Sequence, residues 1–189
     1  MRKLKLQMQL SVDGYVAGPN GEMDWMTWNW GDDIKAYVKN LTAPVATIIM
    51  GRRLAEGFIP HWEAHVTNPE TRDEFSTKMV ETPKMVFTKT MHETIWDNTA
   101  IANGDLAAEV KALKRKEGGE IITYGGSSFA GALIKNNLID EYHLFFNPAV
   151  IGTGMPIFNR LAGRLALQLV KAEQFDCGIA ALCYKPAGR

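Results

Sequence analysis

Two short apolar runs, each ending on glycine and passing straight into a helical pattern, constrain this chain more than any other feature. Val45 to Met50 is nearly continuous in apolar residues, as expected of a strand buried on both faces, and it meets Gly51-Arg52-Arg53. Ile121 to Tyr124 meets Gly125-Gly126-Ser127-Ser128, after which Phe129, Leu133 and Ile134 fall on one side of a helix. Glycine at such a junction lets the backbone approach a ligand, because no Cβ intervenes. Ser127 or Ser128 is placed to cap the second helix, whose leading N–H groups favour an anion such as phosphate. The competing reading is an ordinary strand–helix turn.

The rest of the chain repeats the alternation. Lys3 to Val12 reads as a strand, followed by a turn-rich loop from Asp13 to Gly21. Trp25, Trp28 and Trp30 come next and read either as a core lid or as the wall of a ligand pocket. Ile34, Tyr37, Val38 and Leu41 form a helical stripe behind Asp32-Asp33, one of which is expected to be the N-cap, and Pro44 stops that helix. Leu54 to Phe58 reads as a short helix, Pro60 to Pro69 as irregular, and Glu70 to Glu81 as a polar helix. Strands are expected at Lys84 to Thr88 and Thr99 to Ala102, with a helix from Asp105 to Lys116. Ile139 to Asn147 is a further strand, and Leu165 to Phe175 with Gly178 to Tyr184 forms a terminal antiparallel hairpin.

Strands alternating with helices predict a three-layer α/β/α domain over residues 1–189, with a mostly parallel central sheet and the hairpin at its edge. In such sheets ligands bind beyond the carboxyl ends of the strands. Three of those ends carry Gly51-Arg52-Arg53, Thr88-Lys89-Thr90 and Gly125-Gly126-Ser127-Ser128, a combination suited to a phosphate-rich ligand.

Composition narrows the function classes. Lys plus Arg and Asp plus Glu are both 21, so there is no basic surplus for a nucleic-acid backbone. The first ten residues alternate polar and apolar, as a strand does and a signal peptide does not, and no apolar run is long enough to span a membrane. Cys177 and Cys183 stand too far apart along one strand to bridge and read as reduced thiols, which points to the cytoplasm. His61 and His65 lack a nearby third ligand, so no metal site is expected.

In order, Ser11-Val12-Asp13-Gly14-Tyr15-Val16-Ala17, Ile48-Ile49-Met50-Gly51-Arg52-Arg53, Phe87-Thr88-Lys89-Thr90, Gly125-Gly126, Leu138-Ile139-Asp140-Glu141 and Gly152-Thr153-Gly154-Met155-Pro156-Ile157-Phe158 resemble the dihydrofolate reductase-like superfamily. The resemblance covers nearly the whole chain and is closest to the reductase domain of bacterial bifunctional riboflavin-biosynthesis deaminase-reductases and their stand-alone relatives. It implies a reductase using NADPH. The adenosine 2′-phosphate and pyrophosphate would lie among Gly51, Arg52, Arg53, Thr88 and Lys89, with Gly125, Gly126, Ser127 and Ser128 on the pyrophosphate and Ala17 and Gly18 beside the nicotinamide. It also implies substrate contacts from Asp13, Trp25, Tyr124 and Phe146, a small cyclic imine, pterin, pyrimidine or carbonyl substrate, and a homodimer. Tyr124 stands where the riboflavin-pathway reductases carry an acidic residue. Asp33 is placed where dihydrofolate reductases carry their pterin-binding carboxylate, and reads either as the catalytic acid or as a helix cap. A non-catalytic NADP(H)-binding or regulatory homodimer is the alternative reading.

Overall fold

The computed structural model describes residues 1–188. Eight strands, β1 (Leu4–Leu10), β2 (Val45–Gly51), β3 (Lys84–Phe87), β4 (Thr99–Ala102), β5 (Glu120–Thr123), β6 (Glu141–Phe146), β7 (Leu167–Gln174) and β8 (Ala180–Pro186), form one sheet in the order β4-β3-β2-β5-β1-β6-β8-β7. β4 to β6 in that order are parallel, whereas β8 runs antiparallel to both β6 and β7. The expected three-layer sheet with its terminal hairpin is therefore what forms.

Helices cover both faces. Beneath one face lie α1 (Asp32–Thr42), α2 (Arg52–Thr67) and α3 (Glu74–Glu81); beneath the other lie α4 (Leu106–Arg115) and α5 (Ser127–Lys135). Period-two alternation sorts the central strand between these layers. Leu4, Leu6, Met8 and Leu10 join the α4–α5 cluster, while Lys5 and Gln7, on the opposite face, are buried polar residues. Lys5 is made tolerable there by an ion pair with Glu120 and a hydrogen bond donated to the Leu41 carbonyl.

Several boundaries differ from expectation for identifiable reasons. α2 continues through Pro60 to Thr67, where the sequence suggested a stop. Pro60 and Glu56 are both exposed, so the carbonyl left without its helical donor faces solvent, while Ile59 and Trp62 gain apolar cover on the buried side. α3 begins only at Glu74, because Asp73 accepts from the Ser76 amide and the Ser76 hydroxyl accepts from the Asp73 amide in a reciprocal cap. The N-cap of α1 is Gly31 rather than either aspartate.

The terminal hairpin is not left bare on its inner side. Ile34, Val38 and Leu41 of α1 pack with Phe145, Phe175, Ile179 and Ala181, so an earlier helix covers this side of the hairpin. The outer strand β7 remains exposed, with Leu169 and Val170 each 51% accessible. Cys177 and Cys183 are both free thiols.

Candidate functional site

The order β3-β2-β5 brings the three glycine- or cation-bearing strand ends side by side. β2 feeds α2 through Gly51 and β5 feeds α5 through Gly126, and neither helix has a side-chain cap. Asp73 caps α3 and Asp105 caps α4, whereas α1, led by Gly31, is uncapped as well. The leading amides of α2 and α5 are thus left for another acceptor, and the positive ends of both helices meet at one place. Ser127 and Ser128 lie inside the first turn and do not cap it, contrary to expectation.

Glycine is required at this junction. Gly125 has φ 127°, and a Cβ there would stand 3.1 Å from the Met8 sulfur. Gly126 has φ 71°, which side chains rarely adopt. A Cβ on Gly51 would lie 3.3 Å from the Cβ of Phe129, so the two uncapped helices approach each other closely here.

The cations flank these amides unequally. Arg52 Nη1 donates to Glu56 Oε1 at 2.5 Å, a surface i,i+4 pair of little energetic weight. Arg53 is exposed and has no recorded partner among the described residues. Lys89 Nζ donates to the carbonyls of Asn103 and Gly104 at 2.5 and 2.6 Å, which holds it over the β4–α4 connection with one donor spare. The Thr88 hydroxyl accepts from the amides of Thr90 and Met91 at 3.1 and 3.3 Å, so it shapes the turn carrying Lys89.

On the other side of β5, the loop after β1 forms a second wall. Val16 N donates to the Met155 carbonyl at 3.0 Å and Met155 N donates to the Ala17 carbonyl at 2.8 Å, which buries Ala17 and Gly18 against the loop after β6. Gly154 is needed for that approach, because a Cβ would collide with the Ala17 carbonyl and the Tyr15 side chain. Asp13 fastens the same two loops by accepting from the amides of Gly152 and Ile151 at 2.7 and 3.3 Å. Its carboxyl is held below the usual range chiefly by the Ser11 hydroxyl. Trp25 donates its indole N–H to the Glu22 carbonyl at 3.2 Å, and Trp28 stacks at a tilt on Trp30, with 5.9 Å between ring centroids.

Other expected substrate residues are dispersed. Tyr124 projects toward α2 and stacks on Phe58 at 5.4 Å, whereas Phe146 packs in the cluster on the opposite face, because alternation along β6 turns it there. The Tyr124 hydroxyl is buried without a hydrogen-bond partner among the described residues, and burial raises its pKa, so the phenol stays protonated. Asp33 accepts from the amides of Asp176 at 2.8 Å and Ile34 at 2.7 Å. Those bonds, the Asp176 amide foremost, hold its carboxyl below the usual range. Asp33 therefore ties α1 to the β7–β8 turn. It neither caps the helix nor keeps a proton near neutral pH.

Asn147 is the residue that sequence reasoning missed. It is fully buried, its Oδ1 accepts from the Thr27 amide at 2.9 Å, and its Nδ2 donates to Gln9 Oε1 at 2.8 Å. Its only sequence signal is a polar residue closing an apolar strand, which reads equally well as a turn. A broad depression lined by Val45, Arg72, Asp73, Lys78 and Pro83 opens at the amino ends of β2 and β3, far from this edge, and its Asp73 is committed to capping α3. Among the described residues, no group of three or more His, Cys, Asp and Glu could hold a metal ion, and no helix is long and apolar enough to cross a membrane.

Comparison with known proteins places this architecture. Residues 2–181 match the family model described as the RibD C-terminal domain. The uncharacterized protein YyaP of Bacillus subtilis (strain 168) is 31% identical over 187 residues, covering 97% of this chain and 94% of that protein. A putative riboflavin biosynthesis protein from Shewanella sp. PV-4 superposes with a TM-score of 0.73 at 22% identity, over 98% of this chain and 99% of that one. A Thermotoga maritima protein described as a diaminohydroxyphosphoribosylaminopyrimidine deaminase/5-amino-6-(5-phosphoribosylamino)uracil reductase gives 0.71 at 15% identity, over 98% of this chain and 57% of that one. The match over residues 2–181 shows that the chain belongs to the RibD C-terminal domain family, with its dihydrofolate reductase-like fold.

Proposed function

We propose that this chain is an NADPH-dependent reductase that delivers hydride to a small cyclic imine, pterin, pyrimidine or carbonyl substrate. One observation carries the reading: two uncapped helix N-termini meet at adjacent strand ends, flanked by Arg52, Arg53 and Lys89. The residues present fit the cofactor. Amides of the Gly125–Ser128 turn suit a pyrophosphate, and the free Arg53 guanidinium with the spare Lys89 donor suits a 2′-phosphate. Arg52 would exchange its exposed partner Glu56 for phosphate at little cost.

When bound, NADPH would supply a hydride, two electrons in all, to an electrophilic carbon and leave as NADP+. Ala17 and Gly18, buried between two loops, would hold one side of the nicotinamide and keep water from it. Asp33, ionised and fastened to Asp176, keeps the mouth in shape. The proton that completes the reduction, entering at the heteroatom beside the reduced carbon, is assigned to solvent.

NADPH should bind more tightly than NADH, and Arg53→Ala should erase most of that preference. One charge-assisted hydrogen bond at about 1.5–3 kcal/mol corresponds to roughly 10- to 150-fold. Fluorescence titration of both cofactors into wild type and variant measures it, and equal affinities in wild type would sink the 2′-phosphate assignment. NADPH oxidation with pterins, pyrimidines and quinones tests turnover. Tight NADPH binding without oxidation by any of them would favour the non-catalytic NADP(H)-binding reading, which the commitment of Asp33 to backbone amides supports.

The exposed edge strand β7, with Leu169 and Val170 half accessible, supports a homodimer. Light scattering at micromolar concentration is expected to give twice the chain mass of 21.0 kDa, and a monomer at every concentration would overturn the dimer.

A further inference from the structure

The carboxyl edge of the sheet is divided by charge. The ends of β2 and β3 carry Arg52, Arg53 and Lys89. Beyond β1, β6 and β7 the picture reverses. From Leu6 to Ile34 the chain has no Lys, Arg or His but carries Asp13, Glu22, Asp24, Asp32 and Asp33. Residues 144–159 carry no charged side chain, and the β7–β8 turn adds Asp176. The first cation after the acidic loop, Lys35, is on the exposed side of α1.

Three of these carboxylates are fixed in place as anions by hydrogen bonds. Asp13 accepts from Gly152 and Ile151, Glu22 accepts from the Asn20 amide and side chain, and Asp33 accepts from Asp176 and Ile34.

The loops of this half also expose apolar side chains. Val12, Met23, Trp28 and Val150 stand 59%, 55%, 63% and 71% exposed, and the Val12 amide donates to the Ala149 carbonyl, which sets Val12 beside Val150. On the sheet beneath, besides Thr123 Oγ1 and the Lys5-paired Glu120 Oε2, two buried polar atoms lack hydrogen-bond partners among the described residues, the Tyr124 hydroxyl and Gln7 Oε1. They are neighbours: the β1–β5 register ends at Leu6–Thr123, and Gln7 and Tyr124 are the next residue on each strand. One is a neutral donor, the other a neutral acceptor, and a buried orphan of either kind calls for a partner.

Resting on the reductase reading above, the geometry points to a substrate without phosphate: a flat, neutral or cationic heterocycle whose apolar body meets Trp28, Val12 and Val150 and whose neutral polar edge meets Tyr124 and Gln7. A phosphate ester at this mouth would meet six carboxylates, away from Arg52, Arg53 and Lys89, losing its hydration with no charged donor from them in return. The Thermotoga maritima protein of the same fold is described as acting on a phosphoribosylated uracil, so this half of the edge marks a divergence in substrate.

The test uses a matched pair on the NADPH-saturated protein: 5-amino-6-(5-phosphoribosylamino)uracil and the same compound without its phosphate, read by tryptophan quenching. The dephosphorylated member is expected to bind at least about tenfold tighter at low ionic strength, with the gap closing as salt rises. Asp24→Asn with Asp32→Asn removes two exposed carboxylates without a hydrogen bond or ion pair among the described residues, and should narrow the gap while leaving NADPH affinity unchanged. Equal or tighter binding of the phosphorylated member, binding of neither, or a gap that the double variant leaves untouched each overturns the inference. NADPH affinity is read in the same samples. Its absence would strike the reductase reading, whereas phosphate preference with NADPH bound would strike only this one.

Discussion

Gly126→Val is expected to weaken NADPH binding by at least about a hundredfold while the protein still folds. The lost affinity corresponds to two charge-assisted hydrogen bonds from the α5 amides at about 1.5–3 kcal/mol each, displaced by a branched side chain at the helix entrance. The fold pays a separate penalty, because Gly126 has φ 71° and a non-glycine residue there is strained by about 1–3 kcal/mol. That is a fraction of the roughly 5–15 kcal/mol stability of a typical domain. Gly126→Ala separates the two effects, since it carries similar strain with one methyl group. Both variants should lower the melting temperature, and only Val should lose most of its affinity for NADPH. Wild-type affinity in Gly126→Val would reduce the turn to a connection.

Asn147→Ala is expected to destabilise the fold by about 2–4 kcal/mol and to release the tryptophan loop. The substitution leaves the half-buried Thr27 amide and Gln9 side-chain oxygen without their partner, at about 1–2 kcal/mol each. Because Thr27 lies between Trp25 and Trp28, the loss should also shift tryptophan emission to the red and weaken whatever ligand that loop covers. Urea unfolding with fluorescence detection measures both. An unchanged unfolding midpoint would show that Asn147 merely fills space.

Legibility in the sequence followed the range of the interactions. The glycine and cation motifs at the ends of β2, β3 and β5 were readable because they depend on neighbouring residues: an apolar run, a glycine where the backbone must come close or turn, then a helical stripe. Strand alternation assigned Leu4, Leu6, Met8 and Leu10 to one face by the same local rule. What sequence left open at Asp33 was a question of distance. Its carboxylate had two local readings, cap or acid, and the fold gave it a third, because the β7–β8 turn brings the Asp176 amide within 2.8 Å across 143 residues.

The same limit explains Pro60 and Tyr124. Whether a proline ends a helix depends on whether its orphaned carbonyl faces solvent, which only the packing of α2 settles. Tyr124 beside a double glycine was visible, but its meeting with Gln7 arises from the order β5-β1 in the sheet. The charge division of the carboxyl edge has both origins. Sequence alone shows five carboxylates and no cation from Leu6 to Ile34, and tertiary structure sets this stretch on the half of the edge away from Arg52, Arg53 and Lys89, because β1 and β6 lie beyond β5 in the sheet.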